Sequence, residues 1–325
     1  MQKVAIVTDG SCDLPKELVE KYNIHIVPMS VVIGKKVYKL FGDYGTITKD
    51  EFYKQYENKG EFPTTSLPTP KAFVDVYKTA SKKAESIIGI ILSEELSSTF
   101  QMANLALNYV EDLDITLIDS RVAASALGVL VIEAAKMAQK GKTKKEILKR
   151  LEFLIPQAKL VGILDRVDAV YRSGRITWGK KFLAERINIK PIIGFQDGKV
   201  ITYGSVRANR RSVLFRMRYM ATLVARNAIT DTIFVWHVRR PDDAQMLKRV
   251  LEKNNPEKKE IMIQEAGPIV GTHVGLKAIA FMYVGHFEST WLTKLKPRKK
   301  IGLKNDNSKN TWISRFTLKR KIGNQ

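Results

Sequence analysis

The chain has 325 residues, 44% of them hydrophobic, and a formal net charge of +22. That length exceeds one ordinary core and suffices for two domains, and the apolar share is that of a folded protein rather than a disordered one. Cys12 is the single cysteine; this excludes an internal disulfide and a Cys-based metal cluster, and makes a reducing cytoplasm the expected setting.

Met1 leads almost directly into the apolar run Val4–Val7, and Asp9 follows at once, so no signal-peptide core is expected. Val4–Val7 reads as a buried strand and Leu14–Tyr22 as the helix after it. Between them lies Asp9-Gly10-Ser11-Cys12-Asp13-Leu14-Pro15, with Asp13 as the expected N-cap and Pro15 in the first turn. A second hydroxyl-rich turn, Thr64-Thr65-Ser66-Leu67-Pro68-Thr69-Pro70, predicts a helix capped by Thr69 whose buried face carries Phe73, Tyr77 and Ala80. Ile87–Leu92 is the next strand. The third turn, Leu96-Ser97-Ser98-Thr99, opens a helix over Thr99–Val110. Ile115–Ile118 reads as a strand and Ala123–Gln139 as a helix. The apolar stretch Ala123–Ala138 is interrupted by Ser125, Gly128, Glu133 and Lys136 and is too short to cross a bilayer. Gly141-Lys142-Thr143 imitates the end of a phosphate loop, but Lys136 stands where the first glycine is required, so it reads as a helix end.

The second half offers strands at Lys190–Phe195, Lys199–Gly204, Thr232–His237 and Lys259–Glu265, among helices at Lys180–Ile187, Asn209–Arg226 and Asp242–Asn254. Asp197-Gly198 predicts a hairpin turn. Strand–helix alternation predicts an α/β fold: a parallel-sheet N-terminal domain over 1–160 and a mixed-sheet C-terminal α/β domain over 161–290. Residues 291–325 read as a basic tail, with eleven Lys or Arg against the single acid Asp306. Arg207, Arg210, Arg211, Arg216, Arg218 and Arg226 form a second basic cluster with no acid between Asp197 and Asp231. Such fields attract phosphates, anionic lipid or an acidic protein face.

Loops at the carboxyl ends of parallel strands converge on one edge. Three hydroxyl turns there, at helix starts, would suit a singly charged anion better than a polyphosphate. Gly267-Pro268-Ile269-Val270-Gly271-Thr272-His273-Val274-Gly275 reads as a glycine-rich turn that brings backbone and His273 close to a ligand. Tyr171-Arg172-Ser173-Gly174-Arg175-Ile176 reads as a surface turn. His25, His237, His273 and His286 have no metal-ligand spacing, and neither a Gly-x-Ser-x-Gly elbow nor a nucleotide motif is present. No metal or cofactor is expected.

Taken in order, these motifs resemble the DegV family, the fatty-acid-binding subunits of bacterial fatty acid kinase. The carriers of the resemblance are Asp9 to Pro15, Thr65-Ser66-Leu67-Pro68-Thr69, Leu96-Ser97-Ser98-Thr99, Ile118-Asp119-Ser120-Arg121, Arg172 to Ile176, Ile189-Lys190-Pro191-Ile192-Ile193 and Gly267 to Gly275. They span roughly residues 1–285. The resemblance implies a two-domain DegV-like fold with a long-chain fatty acid in a narrow apolar cavity between the domains. It implies a carboxylate held by Thr65 and Ser97, with Ser66 and Ser98 close by and His273 near the head group. Arg172, Arg175 and Arg207 would dock a partner kinase that holds ATP and makes the acyl phosphate, so this chain would be a carrier and not an enzyme. The sequence departs from the family pattern at Leu67, usually glutamine, at Ser98, usually glycine, and at Leu276-Lys277, where Pro-Gly usually follows the glycine. Two other readings stand beside this one. One is a protein that binds nucleic acid or an anionic membrane through the basic surface and tail, where Trp291, Trp312 and Phe316 stand among lysines and arginines. The other is a self-contained transferase using Ser97, His273 and Asp9.

Overall fold

The computed structural model describes residues 2–58, 62–176, 189–207 and 209–293. The first half of the chain alternates strands and helices. The strands are β1 (Gln2–Asp9), β2 (His25–Val27), β3 (Met29–Ile33), β4 (Lys36–Leu40), β5 (Thr64–Ser66), β6 (Ala84–Ile91) and β7 (Ile115–Asp119). The helices are α1 (Lys16–Lys21), α2 (Lys49–Glu57), α3 (Pro70–Ser81), α4 (Thr99–Leu107), α5 (Ala124–Gln139) and α6 (Lys144–Leu154). Strands β2-β1-β6-β7 form a wholly parallel sheet. Strands β4-β3-β5 form a small antiparallel sheet beside it.

The second half supplies β8 (Ala158–Leu164), β9 (Ile189–Gln196), β10 (Lys199–Arg207), β11 (Thr232–His237), β12 (Glu260–Glu265) and β13 (Ala278–Val284). They pair in the order β10-β9-β8-β13-β11-β12 as a mixed sheet, in which only β11 and β12 run parallel. Asp197 and Gly198 both have positive φ at the β9–β10 turn, as a two-residue hairpin of this twist requires. The helices of this half are α7 (Asp168–Arg172), α8 (Arg210–Asn227), α9 (Pro241–Lys253), α10 (Pro268–Val274) and α11 (Thr290–Thr293).

Why Thr232–His237 is apolar at almost every position is clear from what covers it. Successive strand side chains face opposite ways, and both faces are buried. Ile233 and Val235 join the core under α8 and α9, whereas Phe234 and Trp236 join the core shared with the first half. Helix α5 fills the space between the sheets. It packs against β1 and β6 on one side and against β8, β11 and β13 on the other, and twelve of its sixteen residues are buried. The apolar stretch that is too short for a bilayer thus serves two cores at once, and among the described residues no helix is long and apolar enough to cross a membrane.

Several expectations need correction. Helix α1 begins at Lys16, not Leu14, and is capped at Pro15 without a side-chain bond; Asp13 is not its cap. Trp291, the first residue of the expected basic tail, packs edge-on to Phe287 at 5.8 Å. Leu295–Gln325, and the helix expected over Lys180–Ile187, lie outside the described residues. Other local signals behave as their chemistry dictates. Thr69 accepts from the Ala72 N–H, with Pro70 at the first helical position and Phe73, Tyr77 and Ala80 buried. Thr143 and Glu146 form a reciprocal capping box at the start of α6. Thr143→Ala is expected to lower stability by about 1 kcal/mol, read as a drop in thermal midpoint that Thr143→Ser does not produce.

Candidate functional site

Thr64–Ser66 was expected as a turn at the edge of the parallel sheet. It is instead a strand: β5 pairs antiparallel with β3, Thr65 opposite Val31 and Ser66 opposite Ser30. Strand pleating then separates the hydroxyls. Thr65 is half-buried, while Thr64 and Ser66 are exposed on the other face.

The segment Gly267–Gly275 was expected as a glycine-rich turn and is a helix. Gly267 is the N-cap, Pro268 occupies the first turn and Gly275 ends it. Its glycines recur every four residues, so they share one helix face. That face meets the first half of the chain at distances no larger residue allows. A Cβ on Gly267 would stand 2.8 Å from Asp13 Oδ1, and one on Gly271 would stand 2.5 Å from Tyr53 Oη. Helix α10 can therefore press onto α2, β3, β5 and α7, and this brings His273 to Thr65.

The two side chains meet directly. Thr65 Oγ1 lies 2.9 Å from His273 Nε2, joining segments 208 residues apart. The other ring nitrogen, Nδ1, is buried without a hydrogen-bond partner. Burial, and then the positive field of Arg175, push His273 down to about 4, so the ring is neutral at neutral pH. A neutral imidazole beside a hydroxyl offers hydrogen bonds without a fixed charge.

Ser97 lies in the β6–α4 turn. Its hydroxyl lies 2.8 Å from Thr99 Oγ1, and Ser98, at the N-cap of α4, is exposed and makes no side-chain cap bond. Arg175 Nε donates to the Leu96 carbonyl at 3.3 Å while acting on His273. This exposed arginine thus bonds the Ser97 turn and places its positive field at the imidazole. The same turn is fastened to the second half by Ser93 Oγ, which donates to the Gly198 carbonyl at 2.8 Å. Arg172 is exposed, with its guanidinium 5.8 Å from the centre of the Phe62 ring. Arg207 is exposed at the end of β10, opposite Ile189. Asp9 is enclosed and committed, accepting from the Ser11 N–H and hydroxyl and the Leu92 N–H; this leaves it no part in a relay with Ser97 and His273.

Reading along the chain missed the groups that hold α10 in place. Asp13 is fully buried. Its carboxyl accepts from Trp236 Nε1 at 2.8 Å and from the Gly267 N–H at 3.0 Å. Tyr53 donates to the Ala266 carbonyl at 2.9 Å, and Gln264 Nε2 to Asp43 at 2.9 Å. Only the four-residue glycine spacing hinted at this junction. Two surface cavities lie away from Thr65, Ser97 and His273. One, of about 510 Å³, lies among charged groups including Asp50, Arg239 and Glu265. The other, of about 170 Å³, lies at the Ser81–Ile87 and Asp112–Asp114 edge. Leu96, Val270 and Val274 are partly buried against the main core. Among the described residues no cluster of His, Cys, Asp and Glu could hold a metal ion.

A parallel sheet and a mixed sheet sharing one central helix, with a hydroxyl–imidazole pair assembled from both halves of the sequence, define an α/β protein with a composite polar site. The chain belongs to the DegV family: the family model, described as "Uncharacterised protein, DegV family", matches residues 3–286. A DegV domain-containing protein of Caldanaerobacter subterraneus is 31% identical over 283 residues, 87% of this chain and 99% of that one. The fold matches a DegV family protein from Thermus thermophilus, described for its fatty acid binding, with a TM-score of 0.76 at 25% identity over 88% of this chain and all of that one. DegV of Bacillus subtilis, described as a fatty acid binding protein, gives 0.77 at 25% identity with the same coverage. A stearic-acid-binding protein from Eubacterium ventriosum shares the fold with a TM-score of 0.74 at 23% identity, over 88% and 98% of the two chains.

Proposed function

We propose that this protein binds a long-chain fatty acid, with the carboxylate held at Thr65, Ser97 and His273, and presents it to an ATP-dependent kinase subunit in the cytoplasm. The observation that carries the reading is the 2.9 Å contact between Thr65 Oγ1 and His273 Nε2, supported by the similar proteins described as fatty acid binding. Each buried methylene contributes roughly 0.8 kcal/mol, so a chain of about sixteen carbons supplies affinity on the order of 10 kcal/mol before ordering costs. The head group then needs few bonds. Hydroxyls and a neutral imidazole leave one carboxylate oxygen free to attack the γ-phosphorus of ATP held by the partner. The bond to the bridging oxygen breaks, ADP leaves and an acyl phosphate forms. The chain itself is a carrier; Arg172 and Arg207 are the exposed cations offered to the kinase, with Arg175 shared between that face and the head group.

Native mass spectrometry of freshly purified protein is expected to show a retained fatty acid. In a fluorescent fatty-acid titration, Thr65→Ala with Ser97→Ala is expected to weaken binding, each lost bond to the charged group being worth roughly 1.5–3 kcal/mol, or about 10- to 100-fold. An unchanged titration in the double variant rejects this head-group site. Tight RNA binding with no retained lipid would favour the nucleic-acid reading instead.

A further inference from the structure

We propose that Asp13 is the positioning residue that sets His273 against Thr65. The carboxyl sits in the β1–α1 loop of the first half, fully buried, yet both of its oxygens are spent on the second half. Oδ2 accepts from Trp236 Nε1 and Oδ1 from the Gly267 N–H. Gly267 is the N-cap of α10, and His273 stands in the last turn of that helix. A helix of seven residues is a short stiff rod of roughly 10 Å. Fixing its first amide therefore fixes where its last turn points. The neighbouring ties act at the same end: Tyr53 on Ala266 and Asp43 on Gln264.

The donor pattern makes the assignment specific. Two N–H groups face two oxygens, and only a carboxyl can accept from both. An asparagine of the same shape must turn its amide NH2 toward one of the two N–H donors. Burying an opposed donor pair is costly, and α10 can relieve it only by moving away.

The inference rests on the proposed ligand site for its functional consequence but not for its primary test, which is the titration of the His273 imidazole followed by NMR without lipid. In Asp13→Asn the His273 pKa is expected to move up from about 4 toward the 6.5 of a solvated ring, as the helix end lifts from its buried seat. Fatty-acid affinity is expected to fall at least tenfold. Adding Trp236→Phe removes one of the clashing donors and is expected to return the titration part of the way. Thr143→Ala, in the distant cap of α6, is the stability control: it is expected to lower the thermal midpoint without moving His273. If Asp13→Asn lowers the midpoint and leaves the His273 titration where it was, Asp13 is structural only and the proposal is overturned. Trp236→Phe alone carries the same test at half strength should Asp13→Asn fail to accumulate as folded protein, and an unmoved titration there counts equally against it. Failure of the wild type to bind fatty acid would reject the proposed function and leave the His273 readout intact.

Discussion

Gly271→Ala is expected to destabilise the protein by about 2 kcal/mol, although alanine favours a helix over glycine by about 1 kcal/mol. The new methyl carbon would lie 2.5 Å from Tyr53 Oη, 3.1 Å from Tyr53 Cζ and 3.2 Å from Phe52 Cε1. Both rings are fully buried, so neither can swing aside. Overpacking of this kind costs about 1–3 kcal/mol, and displacing the Tyr53 hydroxyl also breaks its bond to the Ala266 carbonyl, at a further 1 kcal/mol or so. For a chain of this size the thermal midpoint is expected to drop by about 3 °C. The cause is tested by Tyr53→Phe, which removes the atom that the methyl meets first. Alone it loses the Ala266 bond; combined with Gly271→Ala it relieves the collision. The double variant is therefore expected to be more stable than the sum of the two single losses by about 1 kcal/mol. Strict additivity would show that α10 does not dock through Gly271.

How much of this was legible in the sequence follows the range of each interaction. Where a single element decides, the residues spoke plainly. Thr232–His237 is a strand because it is apolar on both faces, Asp197-Gly198 turns because only such residues accept positive φ there, and Phe73, Tyr77 and Ala80 lie on one face of α3 because of the helical period. Where a distant partner decides, local chemistry misled. Thr64–Ser66 carries two β-branched threonines, but three residues beside a Pro-rich turn do not announce a strand, and the segment is extended because β3 offers it a ladder. Asp13 carries the composition of an N-cap, yet its partner Trp236 stands 223 residues away. The Gly267–Gly275 segment looked like a turn because glycine and proline usually break helices. The period of four among those glycines was the overlooked signal: it describes a helix face stripped of side chains for close packing. Thr65 and His273 were named from family resemblance, and their contact follows from that packing. Arg175 is exposed, as its Ser-Gly turn implied, but nothing local announced its bond to Leu96.

Asp13 is also expected to dominate the stability profile between pH 6.5 and 8. Burial pushes its carboxyl up to about 8 against the ordinary 3.8, opposed by the Trp236 and Gly267 N–H groups and by Lys49 and assisted by Asp43. Between those two values the unfolded chain has released this proton and the folded chain keeps it. Stability therefore falls as pH rises, by about 1.4 kcal/mol per unit, and levels off once the folded carboxyl ionises. The two buried imidazoles act with the opposite sign. His237 and His273 are pushed down to about 4 from 6.5, chiefly by burial. Their contribution is fully present above pH 6.5 and is lost as pH falls through about 4. At pH 6.5 the unfolded imidazoles are still half protonated and offset part of the Asp13 slope, an offset that fades by about pH 7.5. From pH 6.5 to 8 the Asp13 loss alone amounts to about 1.6 kcal/mol. Urea denaturation across this range is the measurement. Asp13→Asn is expected to be less stable throughout but to show no decline between pH 6.5 and 8, because it has no proton to hold. A slope that survives in Asp13→Asn would assign the alkaline loss to another group and remove Asp13 from the account.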